Sequence, residues 1–349
     1  MDLAEFEYSL PASAIAQVPA EVRDGSRLLV IDRAGHALAD RVFTDLPDLL
    51  RPGDCLVVND SRVLAARVLA RDLGGRPVEL LFVEPAPGQE VPARRWRALV
   101  RPGRRCRPGV ELAAGDETPA RFRILAVEAD GTRVVERLDG PVVEALERHG
   151  LPPLPPYIAH YAKPASDDRD RYQTVYARPP GSIAAPTAGL HFTSALLDRV
   201  RARGVEIHAL TLHVGPATFR PIKAARVEDH VLPPERVVIP EDVARAVSAA
   251  RAEGRRVVAV GTTTTRALES AAAADGVVRP MDGAATVFIV PGHRFRVVDA
   301  LLTNFHLPRS SLFVLVSAFA GRDLVRDAYR HALAAGYRFY SYGDATLIT

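Results

Sequence analysis

Histidine, threonine and amide side chains form several polar clusters in this sequence, and most of them directly follow an apolar run. Imidazoles can transfer protons, hydroxyls and amides can orient a ligand, and carboxylates can balance a cation. Because the clusters are spread along the chain, the fold must bring them together. They lie in CLVVNDSR (55–62), GSIAAPTAGLHFT (181–193), TLHVGPATFRP (211–221), VVAVGTTTTRALES (257–270) and LLTNFHLPRSS (301–311).

In the fourth cluster, a run of threonines stands at a predicted helix start. An apolar strand turns at Gly261 into residues 262–265, where free backbone N–H groups and hydroxyls would hold a carboxylate or a phosphate. Arg266 and Glu269 are three residues apart and can share a helix face. A helix cap with extra threonines is the alternative. Neither GK[ST] nor GxGxxG occurs, so a Walker loop and a dinucleotide fingerprint are excluded.

The other clusters also have structural alternatives. Asn59 and Asp60 follow a predicted strand, and an Asx turn explains them equally well. Segment 181–193 is small and has few charges, so its backbone could approach a ligand closely, although a tightly packed loop is possible. His213 and His306 also follow strands, where a histidine can equally be a packing residue.

Several classes of function are excluded by what the sequence lacks. The histidines form no HxH, HExxH or HxxxH pattern, so we expect no metal site, and no GxSxG hydrolase elbow is present. Cys55 and Cys106 form no CxxC pair, which favours a reducing compartment. The acidic N-terminus lacks a signal segment, and no apolar run reaches the roughly 20 residues that span a bilayer. We therefore expect a cytoplasmic protein.

The elements that must position these clusters fall into two patterns. Short β-like segments separated by turns run from residue 63 to about 139 and predict a small barrel or sandwich. After the proline-rich LPPLPPY, strand and helix patterns alternate, as in α/β domains. We expect an α/β domain formed by residues 1–62 and 150–349, with an all-β, barrel-like domain inserted at 63–149. Ligands of such sheets bind beyond the carboxyl ends of the strands.

Long blocks of the sequence resemble one family, the S-adenosylmethionine:tRNA ribosyltransferase-isomerases of the queuosine pathway. The blocks follow one another in order from end to end of the chain, and the fourth and seventh are long and specific. They are LPASAIAQVPAEVRDGSRLLV, GDCLVVNDSRVLAARV, PLPPYI, RYQTVYARPPGSIAAPTAGLHFT, TLHVG, VGTTTTRALES, LLTNFHLPRSSLFVLVSAFAG and GYRFYSYGDATLI.

The resemblance implies a reaction. The ribosyl part of S-adenosylmethionine would move to the aminomethyl group of a 7-deazaguanine at the wobble position of tRNA with a GUN anticodon. Adenine and methionine would leave, and the product would be epoxyqueuosine. S-adenosylmethionine is then a co-substrate, and no permanently bound cofactor is expected. The resemblance also implies an α/β domain with an inserted β-barrel, and we expect a monomer.

Roles for the candidate residues follow from the resemblance as hypotheses. His191, His213 and His306 would supply acid–base groups. Asp60 and Glu269 would balance cationic centres. The residues expected to bind substrate, including an anionic end of the donor or of tRNA, are Asn59, Arg62, Thr187, Gly189, Gly215, Gly261, Thr262, Thr263, Thr264, Arg266 and Asn304.

A basic run lies in the predicted inserted domain. The chain has 45 basic residues against 42 acidic ones, and nearly all the basic residues are arginine. Planar guanidinium groups suit phosphate, although a solvated strand face and a GC-rich genome are the alternatives. Within the run Arg94, Arg95, Arg97, Arg101, Arg104, Arg105 and Arg107, we expect Arg95, Arg97, Arg104 and Arg105 to contact tRNA phosphates.

The sequence departs from the family pattern in one segment. After TFRPI the family usually carries EH-x-MHSE-[YF], whereas this chain reads EDHVLPPERVVI at 228–239. His230 matches the first histidine, but Pro233 replaces the second and Pro234 replaces the small residue. Ala217 also stands where glycine is common. The alternative function is therefore a diverged, non-catalytic paralogue that binds tRNA without releasing adenine.

Overall fold

A computed structural model of the protein describes residues 1–89, 92–161, 165, 167–216 and 221–349. The chain divides into two compact units. The first, which we call the α/β unit, contains Met1–Arg62 and Gln173–Thr349, and the second, the barrel unit, contains Val63–Tyr172. Ala217 lies outside the described residues.

Strands and helices alternate along much of the α/β unit, whereas the barrel unit consists mainly of strands. The strands, in chain order, are β1 (Arg27–Asp32), β2 (Ala37–Val42), β3 (Cys55–Asn59), β4 (Arg62–Val63), β5 (Arg67–Asp72), β6 (Pro77–Pro85), β7 (Arg95–Arg101), β8 (Glu111–Ala114), β9 (Ala120–Val127), β10 (Arg133–Arg137), β11 (Gly150–Leu151), β12 (Pro180–Ser182), β13 (Glu206–Leu212), β14 (Glu235–Ile239), β15 (Val257–Val260), β16 (Met281–Ala285), β17 (Ala300–Asn304) and β18 (Ala345–Ile348). The α-helices are α1 (Leu46–Leu49), α2 (Val142–His149), α3 (Asp168–Arg171), α4 (Ser194–Ala202), α5 (Glu241–Ala252), α6 (Thr262–Ala271), α7 (Ser311–Ala320) and α8 (Arg322–Ala334).

The α/β unit is built on a mixed sheet, which has nine strands over the described residues, in the order β16-β14-β13-β3-β15-β17-β18-β1-β2. Its four central strands, β13, β3, β15 and β17, are parallel to one another. β18 runs antiparallel to β17 and parallel to β1. The fold class expected from the sequence is therefore confirmed.

Both faces of the central strands are covered, which explains their uninterrupted apolar sequences. Every residue of β3 and β15 is buried. Successive side chains of a strand point to opposite faces, so Val57 packs with residues of α5 to α8 while Leu56 and Val58 pack with α1 and α4. The polar residues that follow these strands are consequently held by a rigid core.

The barrel unit is a closed antiparallel barrel. Its strands follow the order β5-β6-β7-β10-β9-β8, and pairing of β5 with β8 closes the circle. Alternate residues such as Leu80, Phe82 and Phe122 are fully buried. Closure pairs the sheet edges that would otherwise be exposed.

The second boundary between the units differs from our prediction. We placed residues 150–172 in the α/β domain, whereas they belong to the barrel unit. β11 pairs with β5, and Arg169 Nη2 donates to the Gly150 carbonyl at 3.1 Å. Arg67 also donates to the Tyr161 carbonyl. The proline-rich stretch therefore lies within the barrel unit rather than between the two units, because hydrogen bonds on both sides of it tie it to β5.

No helix in the described part of the chain combines the length and the apolar character needed to cross a membrane.

Candidate functional site

The polar clusters meet at one edge of the sheet, because β13, β3, β15 and β17 are parallel neighbours and end there together. Leu210 is level with Asn59, and Val260 is level with Leu302. Asp60, His213, Gly261 and Asn304 thus come to the same edge from positions far apart in the sequence. This is the place where ligands of α/β sheets bind.

Two neighbouring clefts open at this edge. We call them the polar cleft, whose lining includes Thr187, Thr303, Asn304 and His306, and the apolar cleft, whose lining includes Leu232, Val287, Phe288 and Ile289. Thr262, Thr263 and Leu312 line both clefts. Of the residues that we expected to bind substrate or act in catalysis, the polar cleft is lined by Thr187, Gly261, Thr262, Thr263, Asn304 and His306.

The start of α6 forms the boundary between the clefts. Gly261 has φ +91°, a conformation that side chains other than glycine rarely adopt, and it turns the chain from β15 into α6. The Thr264 hydroxyl donates to the Val260 carbonyl at 2.7 Å, and the Thr265 hydroxyl donates to the Gly261 carbonyl at 3.1 Å. The Thr264 hydroxyl proton is therefore used within the helix, and the substrate-binding role expected for Thr264 remains a prediction. Thr262 and Thr263 present the first turn of the helix to the clefts.

The Asn59 side chain connects β3 to β13 by hydrogen bonds. Its Oδ1 accepts from the backbone N–H groups of Leu212 at 3.0 Å and Ser61 at 3.1 Å, and its Nδ2 donates to the Leu212 carbonyl at 2.9 Å. Nδ2 lies 3.4 Å from Thr263 Oγ1. The amide imitates a backbone peptide between β3 and β13, and the substrate contact expected for Asn59 remains a prediction.

His191 is buried and lines neither cleft. Its two ring nitrogens lie 2.8 Å from Ser26 Oγ and 3.1 Å from Asn304 Nδ2. Burial lowers the pKa of His191 to about 3, and two nearby arginines add to this effect. The ring is therefore neutral at neutral pH and both of its nitrogens are engaged, which does not support the acid–base role that we expected.

His306 differs because it lines the polar cleft. Its Nε2 lies 2.9 Å from Thr303 Oγ1, and its backbone N–H donates to the Tyr329 hydroxyl at 3.0 Å. The Tyr8 hydroxyl donates to its carbonyl. Burial lowers the pKa of His306 to about 3, so the ring is neutral at neutral pH and its protonated form is disfavoured.

Asp60 and His213 follow neighbouring strands but line neither cleft. Asp60 accepts from the Thr211 hydroxyl at 2.6 Å, and burial raises the pKa of its carboxyl group. The His213 ring packs against Gly181, where a Cβ would come within 2.5 Å of Nδ1. Burial and then Arg236 lower the pKa of His213. Burial favours the neutral form of both groups, and their catalytic roles remain predictions.

Arg266 lines the apolar cleft, but its donors are directed to protein acceptors. Its Nη2 donates to the carbonyls of Pro233 at 3.0 Å and Ala285 at 2.9 Å. Its Nη1 pairs with Glu235, whose other oxygen accepts from the Gly215 N–H at 2.9 Å. Burial raises the pKa of Glu235, and Arg266 opposes that shift. This buried pair builds the cleft wall, so the anion-holding role expected for Arg266 is not supported.

Glu269 also has a structural role. Its carboxylate accepts from the backbone N–H groups of Arg296, Val297 and Val298 at 3.0 to 3.1 Å, and it lines neither cleft. These bonds satisfy the carboxylate within the segment 296–298. The geometry therefore does not support the expectation that Glu269 balances a cationic centre of the substrate.

Three other residues from the expected set contribute in different ways. A Cβ at Gly189 would lie 2.1 Å from the Tyr176 hydroxyl oxygen, so glycine is required there for packing. Gly215 contacts Glu235, as described above. Arg62 is exposed, and its backbone N–H donates to the Pro179 carbonyl at 2.7 Å.

The barrel arginines fall into two groups. Arg97 is engaged by Glu84, Glu128 and Asp130 at 2.5 to 2.8 Å, and Arg95 pairs with Glu136 at 2.9 Å. Arg97 is thus neutralised by acids of its own unit, which opposes the phosphate contact that we expected. The ion pairs of the described barrel residues do not include Arg101, Arg104, Arg105 or Arg107.

Sequence reasoning missed three residues at the site. Ser26 precedes β1 and gives no signal of its own. Tyr340 lines the polar cleft with φ +75°, and a backbone conformation of this kind cannot be read from residue type. Glu235 lies in the segment that departs from the family pattern, but it matches the glutamate of that pattern, and this match was the available signal.

Within the described residues, no group of three or more histidine, cysteine, aspartate or glutamate side chains is placed to hold a metal ion.

Comparison with known proteins gives concordant results. The family model described as queuosine biosynthesis protein matches residues 3–348. Curated proteins named S-adenosylmethionine:tRNA ribosyltransferase-isomerase are similar along the whole chain. The one from Caulobacter vibrioides is 49% identical, with 100% of this chain and 98% of the relative covered, and the one from Moorella thermoacetica is 50% identical, with 100% of both covered.

A solved structure is also similar. It is the crystal structure of S-adenosylmethionine tRNA ribosyltransferase from Thermotoga maritima, which is 35% identical with a TM-score of 0.55, and the match covers 99% of this chain and 100% of that one. With the family model matching nearly every residue and relatives sharing about half of theirs, the chain belongs to the queuosine biosynthesis protein family.

Proposed function

We propose that this protein is an S-adenosylmethionine:tRNA ribosyltransferase-isomerase. It transfers the ribosyl part of S-adenosylmethionine to the aminomethyl group of a 7-deazaguanine at the wobble position of tRNA with a GUN anticodon. Adenine and methionine are released, and epoxyqueuosine is formed. The observation that carries this proposal is the end-to-end identity of about one half to relatives that bear this enzyme name.

The site is suited to S-adenosylmethionine, whose methionine end and adenosine end differ in chemistry. The first turn of α6 offers backbone N–H groups without intrahelical partners, together with Thr262 and Thr263, where the methionine carboxylate would bind. The apolar cleft on one side of this turn would take an apolar part of the substrates. The polar cleft on the other side would take groups that need hydrogen bonds.

His306 is the candidate general base. The reaction requires removal of a proton from the carbon beside the sulfonium or from the attacking ammonium. His306 lines the polar cleft, which places its imidazole beside a ligand bound there.

The tRNA would contact the barrel unit through the turn at residues 101–107. Arg101, Arg104 and Arg107 are exposed, and the ion pairs among the described residues give them no acidic partners of the kind that engage Arg97. Positive groups without partners gain most from phosphate, because each contact releases counterions. The target base must leave its stack to reach a cleft. We further propose that the enzyme is a cytoplasmic monomer without a permanently bound cofactor.

One assay tests the reaction. The protein is mixed with S-adenosylmethionine and tRNA that carries the aminomethyl base, and adenine and the modified nucleoside are measured by mass spectrometry. Both products should appear, and neither should appear with tRNA that lacks the aminomethyl group. Binding of the tRNA without adenine release would instead favour the non-catalytic paralogue.

A further inference from the structure

Three buried side chains form a hydrogen-bonded chain that ends at the polar cleft. Ser26 Oγ lies 2.8 Å from His191 Nδ1, and His191 Nε2 lies 3.1 Å from Asn304 Nδ2. Asn304 lines the cleft, whereas Ser26 and His191 do not. The side chains behind Asn304 can therefore act on a ligand only through it.

These contacts fix the orientation of the Asn304 amide. Nδ2 also donates to the Tyr340 carbonyl at 3.1 Å, and a carbonyl oxygen can only accept. Since Nδ2 is thereby placed toward His191, the imidazole Nε2 must be the acceptor of the second amide proton. The ring proton then lies on Nδ1 and is donated to Ser26. A protonated imidazole would have no lone pair for Asn304, so this arrangement requires a neutral ring.

The backbone of Tyr340 supports the same orientation. Its φ of +75° is uncommon for a residue other than glycine, and such backbone conformations are strained. The surrounding structure enforces it, because the Tyr340 N–H donates to the Phe305 carbonyl at 3.1 Å and the Tyr340 carbonyl also accepts from the Gly343 N–H at 3.0 Å. Backbone strain of this kind is concentrated at ligand sites.

The amide oxygen of Asn304 takes part in none of these hydrogen bonds. Both Nδ2 protons are engaged, while the buried Oδ1 has no hydrogen-bond partner among the described residues. Leaving a buried acceptor unsatisfied is destabilising, so its retention points to a donor on a ligand. None of the described residues that line the polar cleft is a carboxylate, which disfavours an ammonium ligand there. The small side chains of Ala184, Ala185, Pro186 and Ala188 leave room for a flat group.

We infer that Asn304 Oδ1 accepts a hydrogen bond from the exocyclic amine of the adenine in S-adenosylmethionine, and that His191 and Ser26 are positioning residues for this amide. The inference rests on the proposed function. Asn304 is then a specificity-determining residue, because a base with a carbonyl in place of the amine would bring two acceptors face to face.

Binding of donor analogues tests the inference. Isothermal titration calorimetry, in the presence of tRNA that lacks the aminomethyl base, compares S-adenosylmethionine with its analogue carrying unsubstituted purine in place of adenine. The wild-type protein should bind the analogue about tenfold more weakly, the size of one buried neutral hydrogen bond. Asn304→Ala should bind both donors equally. Equal binding of the two donors by the wild type, or a preference retained by Asn304→Ala, would overturn the inference.

Substitutions of His191 separate positioning from acid–base chemistry. In His191→Gln the side-chain oxygen can replace Nε2 as the acceptor for Asn304, whereas His191→Leu offers no acceptor. The glutamine variant should keep the preference for the amino group and most of the adenine release, and the leucine variant should lose the preference. Loss of adenine release in His191→Gln with an intact preference would contradict the positioning role.

A matched control excludes general loosening of the core. Ser317 on α7 is buried, its hydroxyl has no partner among the described residues, and it lines neither cleft. Ser317→Ala should leave the preference for the amino group unchanged. If Ser317→Ala reduced this preference as much as His191→Leu does, the inference would be overturned. If the wild-type protein releases adenine but binds both donors equally, only the inference is contradicted. If it prefers S-adenosylmethionine over the purine analogue but releases no adenine, only the proposed function is contradicted.

Discussion

Arg266 holds the segment that contains Pro233 through the backbone, since its Nη2 donates to the Pro233 carbonyl at 3.0 Å. The proline ring is not part of this contact, although Pro233 lines the apolar cleft. The position at which the sequence departs from its family is therefore anchored by an interaction that does not depend on the side chain. This explains how the segment keeps its place without the usual histidine.

Replacement of Pro233 should consequently be tolerated. Pro233→His keeps the carbonyl, and we expect adenine release to stay within about threefold of wild type, a change below about 1 kcal/mol. Arg266→Ala is the contrasting variant, because it leaves Glu235 buried without its partner and should destabilise the protein by about 3–5 kcal/mol. Adenine release and urea unfolding of both variants provide the check. A gain of about tenfold or more in Pro233→His would mean that the missing histidine limits the reaction.

The contacts of Glu269 predict an effect on stability rather than on chemistry. Glu269→Gln replaces one acceptor oxygen by an amide that faces backbone donors, so we expect a loss of about 1–3 kcal/mol in the free energy of unfolding. The turnover number of the folded fraction should remain close to wild type. Urea unfolding and adenine release at saturating donor measure the two effects. A large loss of turnover in Glu269→Gln without a loss of stability would instead support the catalytic role that we expected for Glu269 from the sequence.

Two buried histidines predict how stability depends on pH. The pKa values of His191 and His306 are lowered from 6.5 to about 3 by burial, so the unfolded chain binds more protons between these limits. This contribution to stability is complete above about pH 6.5 and is lost as the pH falls. Each histidine contributes up to about 1.4 kcal/mol per pH unit to the slope of the free energy of unfolding against pH.

Urea unfolding at pH 7, 6 and 5 tests this dependence. His306→Gln should reduce the slope between pH 6 and 5, because one group that must stay neutral in the folded state is gone. His36→Asn is the control, since His36 is exposed and asparagine tolerates its φ of +50°. The control should keep the wild-type slope, and an unchanged slope in His306→Gln would contradict the prediction.

Charge reversal on the barrel turn tests the proposed tRNA interaction. The double variant Arg104→Glu, Arg107→Glu should weaken tRNA binding and lower the slope of log affinity against log salt by about 1 for each phosphate that is no longer neutralised. Arg97→Gln is the matched control, because this arginine is engaged by three acids and should affect barrel stability but not the salt slope. Fluorescence anisotropy with labelled tRNA from about 50 to 200 mM salt measures the slope. Equal slopes in the double variant and the wild type would show that this turn does not contact tRNA phosphates.

The sequence by itself determined the architecture and the place of the site. Short apolar runs such as 55–58 and 257–260 are typical of strands buried on both faces, and their order with the helices between them leads to a largely parallel central sheet. The polar residues after these strands must then share one edge.

Only the tertiary structure decided which polar groups remain available to a ligand. Asn59, Thr264 and Glu269 have suitable chemistry, but the backbone uses their donors and acceptors. Residue type cannot reveal this, because a side chain satisfied by the protein and one that awaits a ligand are the same in sequence. The hydrogen bond between Asn304 and His191 joins residues 113 positions apart, and no sequence pattern indicates it. Buried polar groups must find partners, and the folded chain alone determines which partners are within reach.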